Sequence, residues 1–581
     1  MEWRRKAEQW LSHPDLPEDV RKELSALTAY PEKLEDCFYR NLAFGTGGLR
    51  GEIGPGTNRM NVYTVRKASE GLARYMTARG REATGRGVAI AYDVRRKSRE
   101  FALEAALTFN RHGIPAYVFD DIRPTPVLSF AVRHLGAYAG IVITASHNPP
   151  EYNGYKVYGP DGGQLPPLEA DAVTAYVNEI RDELSIDVME ERAAREAGLL
   201  HRIGTEVDDA YMERICALSP NPELLRQMGD KVQIVFTPLH GTSNRLVRQG
   251  LAALGCTQVA VVAEQEEPDS EFSTVASPNP EEHAAFELAI QYGRRLDADL
   301  LLGTDPDADR VGVVVKNTAG DYVVLTGNQT GALLLHYLLE QKRAQGTLPS
   351  NGVVLKTIVT SEIGRAIATA FGMETMDTLT GFKFIGEKIK EFEVSGSHTF
   401  VFGYEESYGY LAGDDVRDKD AVQICLLAAE VAAYYKSRGM TMYEGLLEIF
   451  SMYGYYLEDL VSLTLKGKAG LEKIGAIMEA FRNEPPTEAG GKRITAIEDY
   501  STGVRTWIGE GRDERLTLPS AHVLKYMLEG GGWFCLRPSG TEPKMKFYFG
   551  MQAASMEEAQ ALLQEIKADV LRKLDTLMQE S

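Results

Sequence analysis

The chain has 581 residues, 44% of them hydrophobic and 25% charged, an ordinary globular composition that leaves no case for a largely disordered polymer. Its 63 Lys and Arg against 83 Asp and Glu give a formal net charge of −20, which argues against a general nucleic-acid binder, because neutralising a phosphate backbone takes clustered basic residues. A small phosphorylated ligand stays open, since a few Arg and Lys focused in a cleft outweigh a distant acidic surface.

The length predicts roughly three to five domains. Residues 1–40 set apolar side chains at helical spacing (Trp3, Ala7, Trp10, Leu11, then Val20, Leu24, Leu27), with Pro14, Pro17 and Pro31 as punctuation, and predict a helical arm. From Val88 strand-like runs alternate with helical stretches: VAIAY, a helix from Phe101 to His112, AYVFD, a helix from Val127 to Leu135, then AGIVITAS. That rhythm predicts an α/β layer with a substantially parallel sheet. It restarts at VQIVF (232–236), VAVVA (259–263) and DLLLG (299–303), and again at VVLKTIV (353–359) and TFVFG (399–403), with no repeated residues between the units. The acidic stretch EQEEPD (264–269) reads as a solvated loop. After Tyr456 the character shifts to ITAIEDY, AHVLKYML, WFCLRPSG and KMKFYFG, then an amphipathic helix from Met556 to Met578, a smaller α+β tail domain.

The five scattered cysteines signal neither a disulfide framework nor a zinc site. The start, MEWRRKAEQW, has no apolar core, and no uncharged apolar run is long enough to span a bilayer. A soluble, unprocessed cytoplasmic protein with no membrane partner is expected.

The chemistry concentrates in short stretches. GTGGLRG (45–51) offers Arg50 in a Gly-rich turn that lets backbone approach an anion. TASHNP places Ser146 and His147 just after the strand AGIVIT, where α/β sheets carry reactive groups, although a helix cap with a satisfied histidine would look the same. No GxSxG elbow surrounds Ser146, which weighs against a serine hydrolase. NGYK adds Lys156 shortly afterwards. DPDADR, between DLLLG and VGVVV, carries Asp305, Asp307 and Asp309. In a locally extended chain their side chains share one side and converge on a hard divalent cation, with Mg²⁺ the natural occupant. Arg310 then stands beside it as a planar donor for a phosphate oxygen. A plain acidic turn is the bland alternative. An EF-hand is excluded by Arg310 and Lys316 at the positions that want Gly and Glu.

TGFK holds Lys383, either a cleft lysine able to shuttle protons or a surface lysine. GYEESYG (403–409) puts Glu405 and Ser407 on one side of an extended loop, suited to vicinal hydroxyls, with Glu406 a solvated acid. RPSGTEPK supplies Arg537, Ser539, Gly540, Thr541 and Lys544, the ingredients of an anion nest or of an ordinary turn. No GxxxxGK[ST] loop is present, so a nucleoside triphosphate is not an expected phosphoryl donor.

In this order, from GTGGLRG to RPSGTEPK, the motifs resemble the α-D-phosphohexomutase superfamily over nearly the whole chain, with TASHNP and DPDADR the most specific. The resemblance implies an α/β protein of four domains around a central cleft: three α/β sandwich units with mixed sheets and a smaller α+β C-terminal domain. The boundaries expected are a helical arm over 1–40, a phosphoserine domain over 41–205, a metal-loop domain over 206–320, a sugar-loop domain over 321–450 and a phosphate-binding domain over 451–581. It implies that Ser146 is phosphorylated and contributes with Asp305, Asp307 and Asp309 to a Mg²⁺ site, and that Glu405 and Ser407 grip sugar hydroxyls. Arg537, Ser539, Gly540, Thr541 and Lys544 match the phosphate-binding segment, and Arg50, His147, Lys156 and Lys383 match assisting positions.

The implied reaction interconverts glucose 1-phosphate and glucose 6-phosphate through a phosphoserine enzyme and glucose 1,6-bisphosphate. GYEESYG followed by VRDKD looks like the glucose-type and pentose-type members, since mannose-type and glucosamine-type members tend to carry EMSGH or EQSGH there. RPSGTEPK departs from the longer clamp of the animal-type enzymes. Glucose therefore ranks first, pentose phosphates second and mannose third. A sugar-phosphate sensor without catalysis would keep the clamp but would not need Ser146 together with all three Asp residues.

Overall fold

The first forty residues form three helices, Glu2–Ser12, Glu18–Leu27 and Pro31–Phe38, which bury Trp3, Trp10, Leu24 and Phe38. Pro31 opens its helix, where a missing N–H breaks no bond, and Trp10 Nε1 donates to Glu183 at 2.9 Å, fastening the arm to the first α/β domain. The computed structural model describes residues 2–45, 47–465, 467–539 and 544–580, without the side chains at 467–469, 471 and 580. The chain packs as two compact units, one of Met1–Gly327, Phe382–Gly403 and Ser407–Met442, the other of Asn328–Gly381, Tyr404–Glu406 and Tyr443–Ser581.

The first unit contains two mixed sheets. In the six-stranded sheet, Leu200–Ile203, Ala116–Phe119, Val88–Tyr92 and Ala139–Ile143 run parallel, and Tyr152–Tyr158 and Gly48–Glu52 complete it antiparallel. VAIAY and AGIVI are buried along their whole length, as strands covered on both faces must be. Gly154 is required where Tyr152–Tyr158 passes the Ser146 loop, because a Cβ there would lie 2.5 Å from Thr144 O.

In the second sheet Ile234–Thr237 is flanked in parallel by Val259–Val261 and Leu300–Thr304. Leu300–Thr304 then folds back antiparallel into Val311–Lys316, so DPDADR is the connection of a hairpin. The solvated loop expected at EQEEPD holds over residues 267–269 and is corrected before them: Ala263–Glu266 forms a helical turn, and Gln265 is fully buried, its Oε1 accepting from Thr237 at 2.6 Å. The amide finds its partner under the sheet, which charge composition alone does not reveal.

The second unit holds the parallel pair Gly352–Thr357 and Glu374–Thr378 and an antiparallel sheet. That sheet runs Tyr455–Thr464, Lys544–Ala553, Trp533–Pro538, Leu524–Leu528, Lys492–Asp499, Val504–Trp507 and Arg512–Arg515. The helices Gly467–Asn483 and Met556–Glu580 cover one face, and Phe481, Phe534, Phe547, Ile566 and Val570 form the core between.

Candidate active site

Ser146 sits beyond the carboxyl end of the parallel strand Ala139–Ile143. Its φ is +51°, a left-handed conformation that an L-residue holds only where its surroundings over-determine it. Ser146 N donates to Thr144 Oγ1 at 2.8 Å, and its carbonyl accepts from Arg95. The buried hydroxyl donates to Asp305 Oδ2 at 2.6 Å and lies 3.2 Å from His147 Nδ1.

The metal-loop carboxylates do converge, but not by extension. Side chains two residues apart on a strand stand about 7 Å from each other, too far for one small ion. The segment is a tight turn instead, with Ala308 at φ +54° and its N–H donating to Asp305 O at 2.9 Å. Asp305 Oδ1 accepts from the N–H groups of Asp309 (3.0 Å) and Arg310 (2.9 Å). Neighbouring segments brace the turn, since Pro306 O accepts from Thr242 N and Oγ1 and Ala308 O accepts from Ala421 N. One oxygen from each of the three buried carboxylates then lies within 4.8 Å of the others.

Two ammonium groups and a hydroxyl ring this cluster. Lys156 Nζ donates to Asp307 Oδ2 at 2.8 Å and to Asp309 Oδ2 at 3.4 Å, Lys419 Nζ lies 3.1 Å from Asp309 Oδ2, and Thr125 Oγ1 donates to Asp307 Oδ2 at 3.0 Å. Burial raises Asp305 well above the usual carboxylate range, and the Asp307 and Asp309 charges add to it. Burial also opposes the charge on Asp307, but Lys156 outweighs it and holds that carboxyl well below its ordinary value. Asp307 Oδ1 and Asp309 Oδ1 are buried without a hydrogen-bond partner. Hard anionic oxygens left unsatisfied on two carboxylates beside a third, Asp305, fit a divalent metal.

His147 is held neutral, because burial and then the Arg310 and Arg50 charges depress its imidazole well below the ordinary value. Arg50 Nη1 donates to Asn148 Oδ1 at 3.0 Å, in the Ser146 loop. Arg310 pairs with Glu281. Lys383 lies half-buried in the first turn of the helix Phe382–Ser395, its Nζ 5.1 Å from the centre of the Phe384 ring, whereas the hydroxyl of Ser146 reaches Asp305 and His147.

The GYEESYG loop is not extended either. Glu405 ends a strand and Ser407 lies in the turn after it, because Tyr408 takes φ +65° and its carbonyl accepts from Val311 N at 3.1 Å. Within the second unit, buried Glu405 accepts from Gly381 N at 2.8 Å. Glu406 is no solvated acid, since Oε2 accepts from Thr357 (3.1 Å) and Thr360 (3.0 Å). Arg537 lies on the strand Trp533–Pro538 and bonds the Tyr548 hydroxyl, whose proton affinity burial and then the Glu406 charge raise. Ser539 N donates to Lys544 O at 2.8 Å. Gly540 and Thr541 lie outside the described residues.

The sequence does not single out Lys419, Thr125 and Arg95. VRDKD contains Lys419 but in sequence marks only the sugar type, and nothing local to Thr125 or Arg95 signals a partner far along the chain.

Three stretches match family profiles: residues 41–184 phosphoglucomutase/phosphomannomutase alpha/beta/alpha domain I, residues 209–320 domain II and residues 326–453 domain III. A phosphoglucomutase of Staphylococcus epidermidis is 41% identical over 90% of this chain and 92% of its own. The chain belongs to the phosphoglucomutase/phosphomannomutase family.

A Staphylococcus aureus phosphoglucomutase is 39% identical over 90% of this chain and 92% of its own length. Among solved structures, a family protein from Burkholderia thailandensis aligns with a TM-score of 0.63 at 20% identity, covering 92% of this chain and 97% of its own. The Paramecium pp63/parafusin phosphoglucomutase in its open form aligns at 0.67 and 16%, covering 93% and 95%. These likenesses carry the fold, a four-domain α/β architecture in which the three matched domains precede a β-rich C-terminal one. Family membership makes the chain an isomerase-type phosphotransferase within the α-D-phosphohexomutase superfamily. Among the described residues no helix is long and apolar enough to cross a membrane.

Proposed function

We propose that the chain interconverts α-D-glucose 1-phosphate and glucose 6-phosphate, with phosphorylated Ser146 as donor and glucose 1,6-bisphosphate as the exchanged intermediate. The observation that carries this reading is the 2.6 Å bond from Ser146 Oγ to Asp305 within the carboxylate cluster, in a chain whose curated relatives are phosphoglucomutases. Asp305, Asp307, Asp309 and an oxygen of the Ser146 phosphoryl group would hold Mg²⁺, which when bound neutralises phosphoryl charge.

Ser146 presents the group to the sugar hydroxyl, and Lys156 and Lys419, on the far oxygens of Asp307 and Asp309, keep those carboxylates ionised. Neutral His147 leaves the serine oxygen without a competing cation. Arg310 and Arg50 supply fixed positive charge where negative charge spreads in phosphoryl transfer. Glu405 and Ser407 would hold sugar hydroxyls, while Arg537, Ser539, Gly540, Thr541 and Lys544 would bind the phosphate that is not reacting. Lys383 remains the candidate proton shuttle.

The test supplies the purified protein with Mg²⁺, glucose 1-phosphate and a trace of glucose 1,6-bisphosphate, coupled to glucose 6-phosphate dehydrogenase. Mannose and ribose phosphates run in parallel, together with an assay for inorganic phosphate. Isomerisation fastest with glucose and without phosphate release is the expected result. A faster pentose or mannose reaction would reassign the substrate, and phosphate release in place of isomerisation would make it a phosphatase.

A further inference from the structure

We infer that Arg95 is the residue that positions the Ser146 loop for phosphoryl transfer, an inference that rests on the phosphoryl-donor role proposed for Ser146. Its side chain is fully buried and its guanidinium serves four carbonyls of one loop: Nη1 donates to Pro149 O at 2.8 Å and Tyr152 O at 3.0 Å, and Nη2 donates to Ser146 O and Asn148 O at 2.5 Å each. A single planar fork thereby fixes the backbone from the serine to the start of the next strand.

The fork is itself held. Asp93 Oδ2 lies 3.4 Å from Arg95 Nε, and Oδ1 accepts from Arg95 N at 2.9 Å and from Ser98 Oγ at 2.8 Å. The Thr144 hydroxyl accepts from Ser146 N at 2.8 Å. Both backbone polar groups of Ser146 are therefore held, its N–H by the Thr144 hydroxyl and its carbonyl by Arg95. Those two bonds hold the serine at φ +51°. Phe272, from the domain that carries Asp305, packs on the guanidinium with its ring centre 5.0 Å from Cζ. The arrangement locks the serine in register with the carboxylate it must meet.

Lysine cannot reproduce this, being a point charge with three donors and no planar fork. Displacing a reacting oxygen by about 1 Å costs on the order of 100-fold in rate. In the coupled assay Arg95→Lys is expected to lower kcat by about that factor while the KM for glucose 1-phosphate stays within roughly threefold, the pattern of a lost transition-state alignment. Arg95→Ala is expected to regain part of its rate when millimolar guanidinium is added, which a purely structural loss would not.

An Arg95→Lys enzyme with wild-type kcat, or one whose loss lies wholly in KM, overturns the positioning role, as does a folded Arg95→Ala that guanidinium does not rescue. If the Arg95 variants do not fold, Asp93→Asn, which keeps the Oδ1 acceptor and removes the charge facing Nε, is expected to lower kcat about tenfold at unchanged KM, and wild-type kcat there overturns the role. A wild type that does not isomerise sugar phosphates overturns the functional reading instead, which separates the two failures.

Discussion

Ser146 Oγ donates a 2.6 Å hydrogen bond to Asp305 Oδ2 across 159 residues of sequence. Neither partner can be placed by local propensity. The serine is exposed to its partner by a left-handed residue at the end of one sheet, and the aspartate by a hairpin turn at the end of another. The two sheets converge where Thr125 N donates to Asp307 O at 2.8 Å.

Removing the hydroxyl in Ser146→Ala should lower isomerisation by at least about 1,000-fold, since it removes the proposed phosphoryl acceptor beside the carboxylate cluster. Intact-mass measurement after incubation with glucose 1,6-bisphosphate should show a phosphoryl increment on the wild type and none on the variant. A variant that still acquires the increment would place the phosphorylated residue elsewhere.

Asp307→Asn should weaken divalent-metal affinity by at least about tenfold, read by calorimetric titration of the purified protein with Mg²⁺ and Mn²⁺. The substitution keeps the shape that meets Thr125 and Lys156, and it removes the charge behind the unpartnered Oδ1. Equal affinities for variant and wild type would mean that the cluster is a buried acidic turn and not a cation site.

Much of this architecture is legible in the sequence. The apolar runs at Val88–Tyr92, Ala139–Ile143 and Leu300–Thr304 are buried on both faces, so composition alone marks them. Ser146 and the three aspartates stand out because polar residues bounded by such strands have few other roles. The local geometry does not follow, because the left-handed Ala308 and Tyr408 are set by hydrogen bonds to Ala421 and Val311, partners far along the chain that periodicity does not encode. Lys419 and Arg95 escape notice for the same reason: a buried cation is indistinguishable in sequence from a surface one until its acceptors are known.

Gly241 supports the Asp305–Asp309 turn by having no side chain. A Cβ there would lie 2.5 Å from Pro306 Cα and 2.7 Å from Pro306 O, backbone atoms that cannot rotate away. Gly241→Ala should therefore shift the turn that gathers the carboxylates and cost about 1–3 kcal/mol in urea unfolding, with a parallel loss of metal affinity. A destabilised protein whose metal affinity is intact would show that the strain is relieved on the Gly241 side.

Asp420 gives the pH prediction. It caps the helix Ala421–Ser437 by accepting from Gln423 N at 2.9 Å, and both its oxygens accept from the Tyr211 hydroxyl. Burial pushes its carboxyl up to about 6 from an ordinary 3.8. Between those values the folded state binds more protons than the unfolded one, so the contribution of the protonated group is complete below the lower value and is lost as pH rises through the higher. The ionised group thus costs the native state about 3 kcal/mol near neutrality. Asp420→Asn keeps an acceptor oxygen for Gln423 and Tyr211 and cannot ionise. Other groups titrate over the same range, so the informative quantity is the difference between variant and wild type in denaturant unfolding. The variant should be the more stable near pH 7.5, and its advantage should shrink as the pH falls, to about a third near pH 4.5 and towards zero below 3.8. A difference that does not change with pH would mean that Asp420 is already ionised in the folded protein at the acidic end.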